Sequence, residues 1–415
     1  MFLLLAGIAA LVYGVISLKK PLLNPQSNKK AEREFAPLGN TVISFALILF
    51  GIFGLFSRSF VIVESNEIGL LNRIYMAEDL PAGRIIGLEG QKGPQAKILG
   101  PGFHLMPFVQ VLYDVETENV MTVPEGHVGF VVAKDGQPLR DGQFIADKWV
   151  GNFEDMLKAE HFLSDGQGQK GPQLDVLRPG TYRLNPYLFD VKISPALDVP
   201  TGHVAVIRSN VQTYEGVCPN SALTTGTEGG QVAQAIVPKG CVGVWDEPLK
   251  PGRYYMNPAA FVPTLIDTRL NTWNYKGGYT KRMINLTVSD DGKIQQQETK
   301  DEIPVPKDAA DGAITTRVEG WVVPVDMRVI VQVHPKNAPL VVASVGNLEA
   351  VENKLITPAI RDILRTIGGN PERKVMDFVQ KRDEIVGEVE TSIIPEGLKA
   401  GVSIQDYLPL KKYTI

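Results

Sequence analysis

Residues 168–186 read GQKGPQLDVLRPGTYRLNP, and residues 90–107 have already read GQKGPQAKILGPGFHLMP. A catalytic site needs its residues only once, so a stretch that is written twice indicates a repeated structural unit. Each copy contains a Pro-Gly pair, which suits a type II turn because proline presets φ and glycine accepts a positive φ. A third such stretch, LKPGRYYMNP, follows at 249–258. The sequence therefore predicts a series of small β modules.

Strand-like segments accompany these turns. They begin with a turn-forming pair and continue with alternating apolar residues, the pattern of a half-buried strand. Their sequences are ESNEIGLLN at 64–72, PEGHVGFVV at 124–132, PTGHVAVIR at 200–208 and PKGCVGVWD at 238–246. Because repeats joined end to end normally stack on their neighbours, we expect tandem β modules in an extended stack. The predicted boundaries are 61–123, 124–199, and a partial module with a connector over 200–237.

The composition is that of an ordinary globular protein. The 415 residues are 44% hydrophobic and 21% charged, with a formal net charge of −4. Binding to nucleic acid relies on a basic surface that neutralises phosphates. A chain with this balance is therefore not expected to have a nucleic-acid partner.

Two apolar stretches open the chain, MFLLLAGIAALVYGVIS at 1–17 and TVISFALILFGIFGLFS at 41–57. As helices of this length they reach most of a hydrocarbon core about 30 Å thick. The first lacks the positive residues that precede the apolar run of a signal peptide. We therefore expect residues 1–60 to form a transmembrane helical hairpin integral to the cell membrane, with the lipid bilayer as a partner.

The linker between the two apolar stretches is basic. The positive-inside rule places such a linker in the cytoplasm and the large domain outside it, in an extracytoplasmic (periplasmic) location. A hairpin that enters and leaves the bilayer from one face is the alternative. The basic residues are Lys19, Lys20, Lys29, Lys30 and Arg33.

Two patterns suggest chemistry without supporting it. Gly166, Gly168 and Gly171 spell GxGxxG, but a dinucleotide loop needs a helix N-terminus after it, and here the chain continues through Pro172 into a strand. Histidine or cysteine recurs at the starts of successive strand-like segments, yet equivalent positions of stacked modules lie too far apart to share one metal ion through ~2 Å bonds. These residues are His127, His203 and Cys241. We predict no catalytic, cofactor-binding or metal-binding residues.

The chain has two cysteines, Cys218 and Cys241. They form one disulfide if the domain lies in an oxidising compartment, and otherwise they are two unpaired thiols. The sequence leaves both alternatives open.

The C-terminal half changes in character after Asp267. A polar hairpin with a loop near 289–312 precedes a strand pair at 317–335 that we expect to be interrupted at Pro324. Helical periodicity starts at Leu348, with a fresh helix at Thr357-Pro358 that ends at Gly368-Gly369. A second helix over 371–391 and a final strand complete the expected order.

This order carries a resemblance to a known family. PKGCVGV and a Pro-Gly turn are followed by TRVEGWVVPVDMRVIVQV, LEAVENKLITPAIRDILRTIGG, ERKVMDFVQKRDEIVGEVETSI and GVSIQD. The segment 238–415 resembles the SPFH or band 7 family of stomatin, prohibitin and flotillin. The resemblance implies an α/β domain without catalytic activity, in homo-oligomeric rings or cages on a membrane. It also implies client membrane proteins, among them membrane proteases.

Two features depart from the family's usual pattern. The long coiled coil that often follows the last strand is not part of this sequence. Residues 61–237 are additional, and they are similar to further copies of the family's first β subdomain, as in the walls of vault particles.

Together these features predict an α+β fold with an N-terminal transmembrane hairpin, tandem β modules and a C-terminal α/β domain. The expected function is a non-enzymatic, membrane-anchored scaffold that organises membrane proteins or lipids. The alternatives are a membrane-bound hydrolase of the serine-peptidase type and a monomeric binding protein that uses the β stack as a ligand platform.

Overall fold

The N-terminal segment forms two helices that pack against each other, α1 (Phe2–Lys19) and α2 (Lys30–Phe56). These helices belong to a computed structural model, which describes residues 2–19, 30–218, 236–288, 290 and 292–404. The basic linker of the predicted hairpin lies mostly outside the described residues. Among the described residues, no helix is both long enough and apolar enough to cross a bilayer.

Three β modules follow the helices, and all three share one strand pairing. In each, a central strand is paired antiparallel on both sides, and the strand that opens the module pairs separately with the strand after the Pro-Gly pair, forming a two-stranded ribbon. The chain divides into two compact units, Met1–Ala196 and Leu197–Ile415. The first two modules lie in the first unit and the third lies in the second.

The elements of the modules are given in chain order. The first module consists of β1 (Phe60–Val63), β2 (Glu67–Arg73), β3 (Gly93–Leu99), β4 (Gly102–Leu105), α3 (Val109–Leu112) and β5 (Tyr113–Asn119). The second consists of β6 (Met121–Val123), β7 (His127–Ala133), α4 (Phe153–Met156), α5 (Ala159–Leu163), β8 (Gly171–Leu177), β9 (Gly180–Tyr182) and β10 (Phe189–Pro195). The third consists of β11 (Leu197–Val199), β12 (His203–Ser209), β13 (Ile236–Val237), β14 (Gly243–Trp245), β15 (Gly252–Tyr254) and β16 (Phe261–Asp267).

The Pro-Gly pairs begin strands instead of forming type II turns. Gly102, Gly180 and Gly252 have φ values of +127°, +151° and +152°, well beyond the value near +80° of a type II turn. Each is the first residue of its strand, and each pairs with a valine of the opening strand. A residue with a Cβ adopts this conformation only with strain, so the glycine is required at the start of the ribbon.

Each ribbon is tied back to the preceding loop by one side chain. The side chain two positions after the glycine forms a hydrogen bond with the backbone carbonyl of the residue four positions before its own. The three contacts are His104 Nε2 to Gly100 O at 2.7 Å, Tyr182 Oη to Arg178 O at 2.8 Å and Tyr254 Oη to Lys250 O at 2.9 Å.

The repeated GQKGPQ stretch is a loop closed by its last residue. The buried Gln173 amide donates to the carbonyls of Gln169 at 2.7 Å and Gly171 at 2.9 Å. Gln95 makes the equivalent bonds in the first module. In the third module the same position is Trp245, whose Nε1 donates to Cys241 O at 3.2 Å.

This equivalence corrects one expectation. The segment 238–246 was interpreted as the fourth recurrence of the strand-like segment that begins a module, but its strand β14 pairs with the central strand β12 and occupies the position of β3 and β8. Cys241 therefore corresponds to Gln91 and Gln169, not to His127 and His203. Alternation alone does not distinguish a central strand from a flanking one.

The first two modules are joined within their unit by buried polar contacts. The Asn185 amide donates to Gln95 O at 2.8 Å and Ala96 O at 2.9 Å. Asp135, with 2% of its surface exposed, accepts from the backbone amides of Ile85 and Ile86. The first module has a proline, Pro107, in place of the asparagine, and no earlier module precedes it.

The second module also fills its long loop with a hydrophobic core. Phe162, which is fully buried, stacks on Trp149 at a centroid distance of 5.7 Å and meets Phe189 edge-on at 5.2 Å. A Cβ on Gly168 would lie 2.4 Å from the Phe162 ring, and one on Gly166 would lie 2.3 Å from Trp149. Aromatic packing therefore accounts for these two glycines.

Residues 271–404 form a head that shares a hydrophobic core with the third module. Its strands are β17 (Asn271–Tyr275), β18 (Tyr279–Val288), β19 (Ile294–Ile303), β20 (Ile314–Val318), β21 (Trp321–Val325), β22 (Met327–Gln332) and β23 (Ser403–Ile404). Its helices are a 3₁₀ turn (Pro335–Asn337), α6 (Ala338–Ser344), α7 (Leu348–Val351), a π-helical turn (Glu352–Ile356), α8 (Thr357–Gly368), α9 (Asp377–Gln380) and α10 (Arg382–Lys399). The three-stranded sheet β17-β22-β23 lies at its centre.

Three local expectations for the head are corrected. Pro324 lies inside β21, where only one edge of the strand is paired, and the chain leaves the strand pair at Asp326 instead. The helix at Thr357 is not a fresh one, since it continues without a break from a π-helical turn. The turn fits Pro358, which has no N–H to donate to the carbonyl four residues earlier. The last helix runs over 382–399, later than the predicted 371–391. The mixed α and β fold class is confirmed, while the extended stack stays a prediction.

Candidate functional site

The N-terminal helices pack through small residues. Gly7, Gly14 and Gly51 are buried, and a Cβ on Gly51 would lie 2.7 Å from the Gly7 carbonyl oxygen. The hydroxyls of Ser17 and Ser44, both buried, hydrogen-bond to each other. Close approach through small residues, together with a paired hydroxyl between helices, is typical of helix packing in lipid.

The outer surface of this helix pair is apolar. Large side chains that would form the inner face of a water-soluble helix pair point outward here, with exposed fractions from 41% to 70%. They include Ile8, Val12, Ile16, Val42, Phe45, Leu49, Ile52, Phe53 and Phe56. Exposed apolar surface of this kind commonly marks sites of interaction with membranes or other proteins.

The first module continues this surface. The outward side chains of β1 and β4 are Phe60, Ile62, Phe103 and Leu105, which we call the apolar ribbon. Phe60 stacks on Phe103 at a centroid distance of 5.7 Å and lies 6.4 Å from Phe56 at the end of α2. Ile62, Phe103 and Leu105 are 66%, 60% and 57% exposed.

The equivalent outward pair has a different character in each module. Strand register places the two residues directly opposite each other in all three ribbons. The pairs are Ile62–Phe103 in the first module, Thr122–Thr181 in the second and Asp198–Arg253 in the third. The last is an exposed ion pair at 3.8 Å.

An open cleft of about 490 Å³ borders the ribbon, between β1 and β5. The Arg58 guanidinium donates to Gln110 Oε1 at 3.1 Å, and the Gln110 amide donates to the Phe60 carbonyl at 3.0 Å. A fixed cation therefore lies at the edge of an exposed apolar surface.

A second exposed surface is the hairpin β18–β19. Nearly every side chain in its two ten-residue strands is exposed. One face near the turn carries four apolar side chains, because Val288 pairs with Ile294 and the alternating Leu286 and Ile284 lie on the same side. Gln296 and Glu298 lie opposite Leu286 and Ile284 on that face. These four side chains are 58–71% exposed. A two-stranded hairpin with both faces in water is at best marginally stable.

The residues that suggested metal or nucleotide chemistry occupy structural positions within their modules. His127 and His203 start β7 and β12 as equivalent residues, but Cys241 does not share their position. Within the described ranges, no group of three or more His, Cys, Asp or Glu side chains could hold a metal ion. The GxGxxG loop leads into β8, and not into the helix that a phosphate would need.

Cys218 and Cys241 form a disulfide, with their Cα atoms 5.7 Å apart. The bond attaches the chain after β12 to the loop that Trp245 closes. The sequence left the pairing open, and no spacing rule could have decided it.

The head contains one strongly shifted ionisable group. Tyr275 is fully buried, and burial raises its pKa to about 12. Its hydroxyl hydrogen-bonds Thr357 Oγ1 at 2.9 Å. Because the phenol stays neutral and is surrounded by core residues, we interpret it as a link between β17 and α8 and not as a general acid or base.

Comparison with known proteins agrees with this architecture. Residues 199–414, just over half of the chain, match the SPFH domain / Band 7 family. The chain belongs to the SPFH/Band 7 family. The matched region takes in almost all of the third module and the head, and it starts before residue 238, where the resemblance in motif order begins. A comparison with curated proteins found no match.

Sequence reasoning did not find the apolar ribbon or the exposed face of β18–β19. A signal for the ribbon was present, since Ile62 in FVIV (60–63) and Phe103 in GFHL (102–105) are large and apolar where the other modules have threonine or charge. Alignment of the three modules position by position would have shown it.

Proposed function

We propose that this protein is a non-enzymatic membrane scaffold, anchored by its N-terminal helix pair and assembled from many copies into a ring or cage. The observation that carries the proposal is the helix pair itself, with small and hydroxyl residues inside and large apolar residues outside, on a chain of the SPFH/Band 7 family. The structures enclosed by the assembly would be lipids and membrane proteins, including membrane proteases.

The anchor places the apolar outer surface of α1 and α2 against acyl chains. Removal of this surface from water is favourable at about 25 cal/mol per Å², and the backbone polar groups are satisfied within the helices. The same surface would cause aggregation of a chain dissolved in water.

The large domain is proposed to lie on an extracytoplasmic face. Two independent features support this side: the basic residues between the apolar stretches, and the Cys218–Cys241 disulfide, which persists in oxidising compartments. The test is to treat intact cells with a membrane-impermeant reductant and then label them with a membrane-impermeant sulfonated maleimide. We expect the Cys218 thiol to react, because Cys218 is partly exposed whereas Cys241 is only 1% exposed. Labelling that requires permeabilisation would place the domain in the cytoplasm.

Self-assembly is proposed to use the exposed hairpin β18–β19. A neighbouring copy that covers the face formed by Ile284, Leu286, Val288 and Ile294 would remove large apolar side chains from water. The unpaired strand edges of the hairpin can also extend a sheet of the neighbour.

The decisive experiment is mass measurement of the full chain after extraction with a styrene–maleic acid copolymer or a mild detergent. We expect a multiple of the 45.4 kDa chain. The informative variant is Leu286→Lys with Val288→Lys on the apolar face, and the matched control is Asn285→Lys with Thr287→Lys on the opposite face of the same strand. The first should reduce assembly and the second should not. A wild-type particle that is strictly monomeric contradicts the scaffold and favours a monomeric binding protein.

A further inference from the structure

We propose that the apolar ribbon of the first module lies in the boundary between headgroups and acyl chains of the bilayer that holds the helix pair. The module would then be attached to the membrane by a surface patch as well as by its helices. This inference rests on the proposed function, since it requires α1 and α2 to be in the bilayer.

The first support is exposure. Ile62 and Phe103 form a direct cross-strand pair and are 66% and 60% exposed, and Leu105 beside them is 57% exposed. Ile62, Phe103 and Leu105 lie on one face of a two-stranded ribbon and stay exposed within the described residues, with the half-buried Phe60 beside them. Contact with water is unfavourable for such a surface.

The second support is an internal control. The ribbons of all three modules have the same pairing, the same positive-φ glycine and the same side-chain bond back to the preceding loop. The backbone therefore does not demand apolar residues at the outward pair that Ile62 and Phe103 occupy, because two threonines occupy the equivalent pair in the second module and an ion pair occupies it in the third. Different surroundings explain the difference.

The third support is continuity with the anchor. The rings of Phe56, Phe60 and Phe103 follow one another from the end of α2 to the ribbon. Arg58 lies between them in sequence, with its guanidinium on Gln110 at the ribbon's edge. An apolar patch beside a cation matches the order of acyl chains and phosphates in a membrane interface.

The test uses fluorescence quenching in the full chain, reconstituted in vesicles of phosphatidylcholine and phosphatidylglycerol that contain doxyl-labelled lipid. Single cysteines are introduced by Leu49→Cys on α2, Phe103→Cys on the ribbon and Thr181→Cys at the equivalent position of the second module. Each is labelled with an NBD maleimide under non-reducing conditions, so that the Cys218–Cys241 disulfide stays intact. We expect several-fold stronger quenching at 49 and 103 than at 181.

The outcomes separate this inference from the proposed function. Quenching at 49 with no more quenching at 103 than at 181 would overturn the ribbon's insertion and leave the anchor in place. The absence of quenching at 49 would contradict the anchor itself. A label at 103 whose emission shifts to the blue but is not quenched by lipid would show that a second protein copy covers the ribbon, which also overturns the inference.

A second variant guards against disturbance of the ribbon by the label. Ile62→Thr with Phe103→Thr copies the outward pair of the second module and keeps the backbone pairing. With the label moved to Leu105→Cys, we expect this double variant to lose most of the quenching seen at 105. Hydrogen exchange of β2 should stay unchanged, and retained quenching with an intact module would contradict the proposal.

Discussion

The second and third modules build the same strand pairing with different chemistry. In the second, the loop before the flanking strand is closed by an amide, Gln173, and filled by two short helices around Phe162. In the third, the equivalent loop is closed by the indole of Trp245 and tied by a disulfide. The comparison teaches that the module conserves the position of a buried donor and not its identity.

The largest effect is expected from the loss of the aromatic core in the second module. Phe162→Ala removes a fully buried ring that contacts Trp149 and Phe189. We expect the free energy of unfolding to fall by about 3–5 kcal/mol. The measurement is chemical unfolding of the solubilised full chain, with hydrogen exchange to localise the change.

Hydrogen exchange should confine the effect of Phe162→Ala to the second module. Exchange should increase in β7 and β8, while β12 and β14 keep the rates of the wild type. An equal increase in both modules would mean that the aromatic core stabilises more than its own module.

The third module should depend on its disulfide instead. Reduction, or Cys218→Ser with Cys241→Ser, opens a loop with a sequence separation of 23 residues. We expect a loss of about 3 kcal/mol, mainly because the unfolded chain gains freedom. Thermal unfolding with and without reductant measures it.

Here exchange should rise in β12 and β14 and not in β7 and β8. A chain whose unfolding is insensitive to reductant would show that Trp245 and the core shared with the head are sufficient without the bond.

Removal of the buried donors should have an intermediate effect. Gln173→Leu leaves the carbonyls of Gln169 and Gly171 without this partner, at a cost of about 1–3 kcal/mol. Trp245→Phe removes the bond to Cys241 O and part of a buried ring that packs on Phe261, and we expect a loss of similar size, about 1–3 kcal/mol. Unfolding of the two variants side by side measures both losses, and a variant that unfolds like the wild type would contradict the role of its donor in closing the loop.

These differences explain what the sequence could and could not predict. The duplicated GQKGPQ and the Pro-Gly pairs predicted repetition because the same backbone bonds recur in the first two modules. The third module was mistaken for a fragment because Trp245 replaces the glutamine, so the loop before β14 does not resemble the loops before β3 and β8 in sequence. The family could be predicted from the order of the motifs, since helix periodicity and strand order are kept when individual residues change.

The site was less accessible. Apolar runs predicted the N-terminal helices, but the ribbon's character emerges only when Ile62 and Phe103 are placed opposite each other by strand register. The disulfide likewise depends on a distance between Cα atoms that sequence separation does not determine.

The smallest effect concerns the carboxylate that faces the histidine at the start of the central strand in the third module. In the second module His127 pairs in register with Pro195, and in the third His203 pairs with Asp267, whose carboxylate lies 3.9 Å from the ring. The Arg269 side chain, hydrogen-bonded to Asp267, is the main cause that lowers the pKa of this carboxyl. A carboxyl whose pKa is lower in the folded chain than in the unfolded chain stabilises the fold at pH values above its unfolded pKa. The stabilisation is lost as the pH falls through the folded pKa.

Asp267→Asn should therefore lower the thermal midpoint slightly at neutral pH, by less than about 2 °C because the Arg269 partner is exposed. The difference from the wild type should vanish as the pH falls below about 4, the ordinary range of an aspartate. Thermal unfolding across this range, with Asp190→Asn in the second module as the control, measures it. A difference that grows toward acid would mean that Asp267 stabilises the third module in its protonated form, and the two modules would then differ in the sign of the effect as well as in its chemistry.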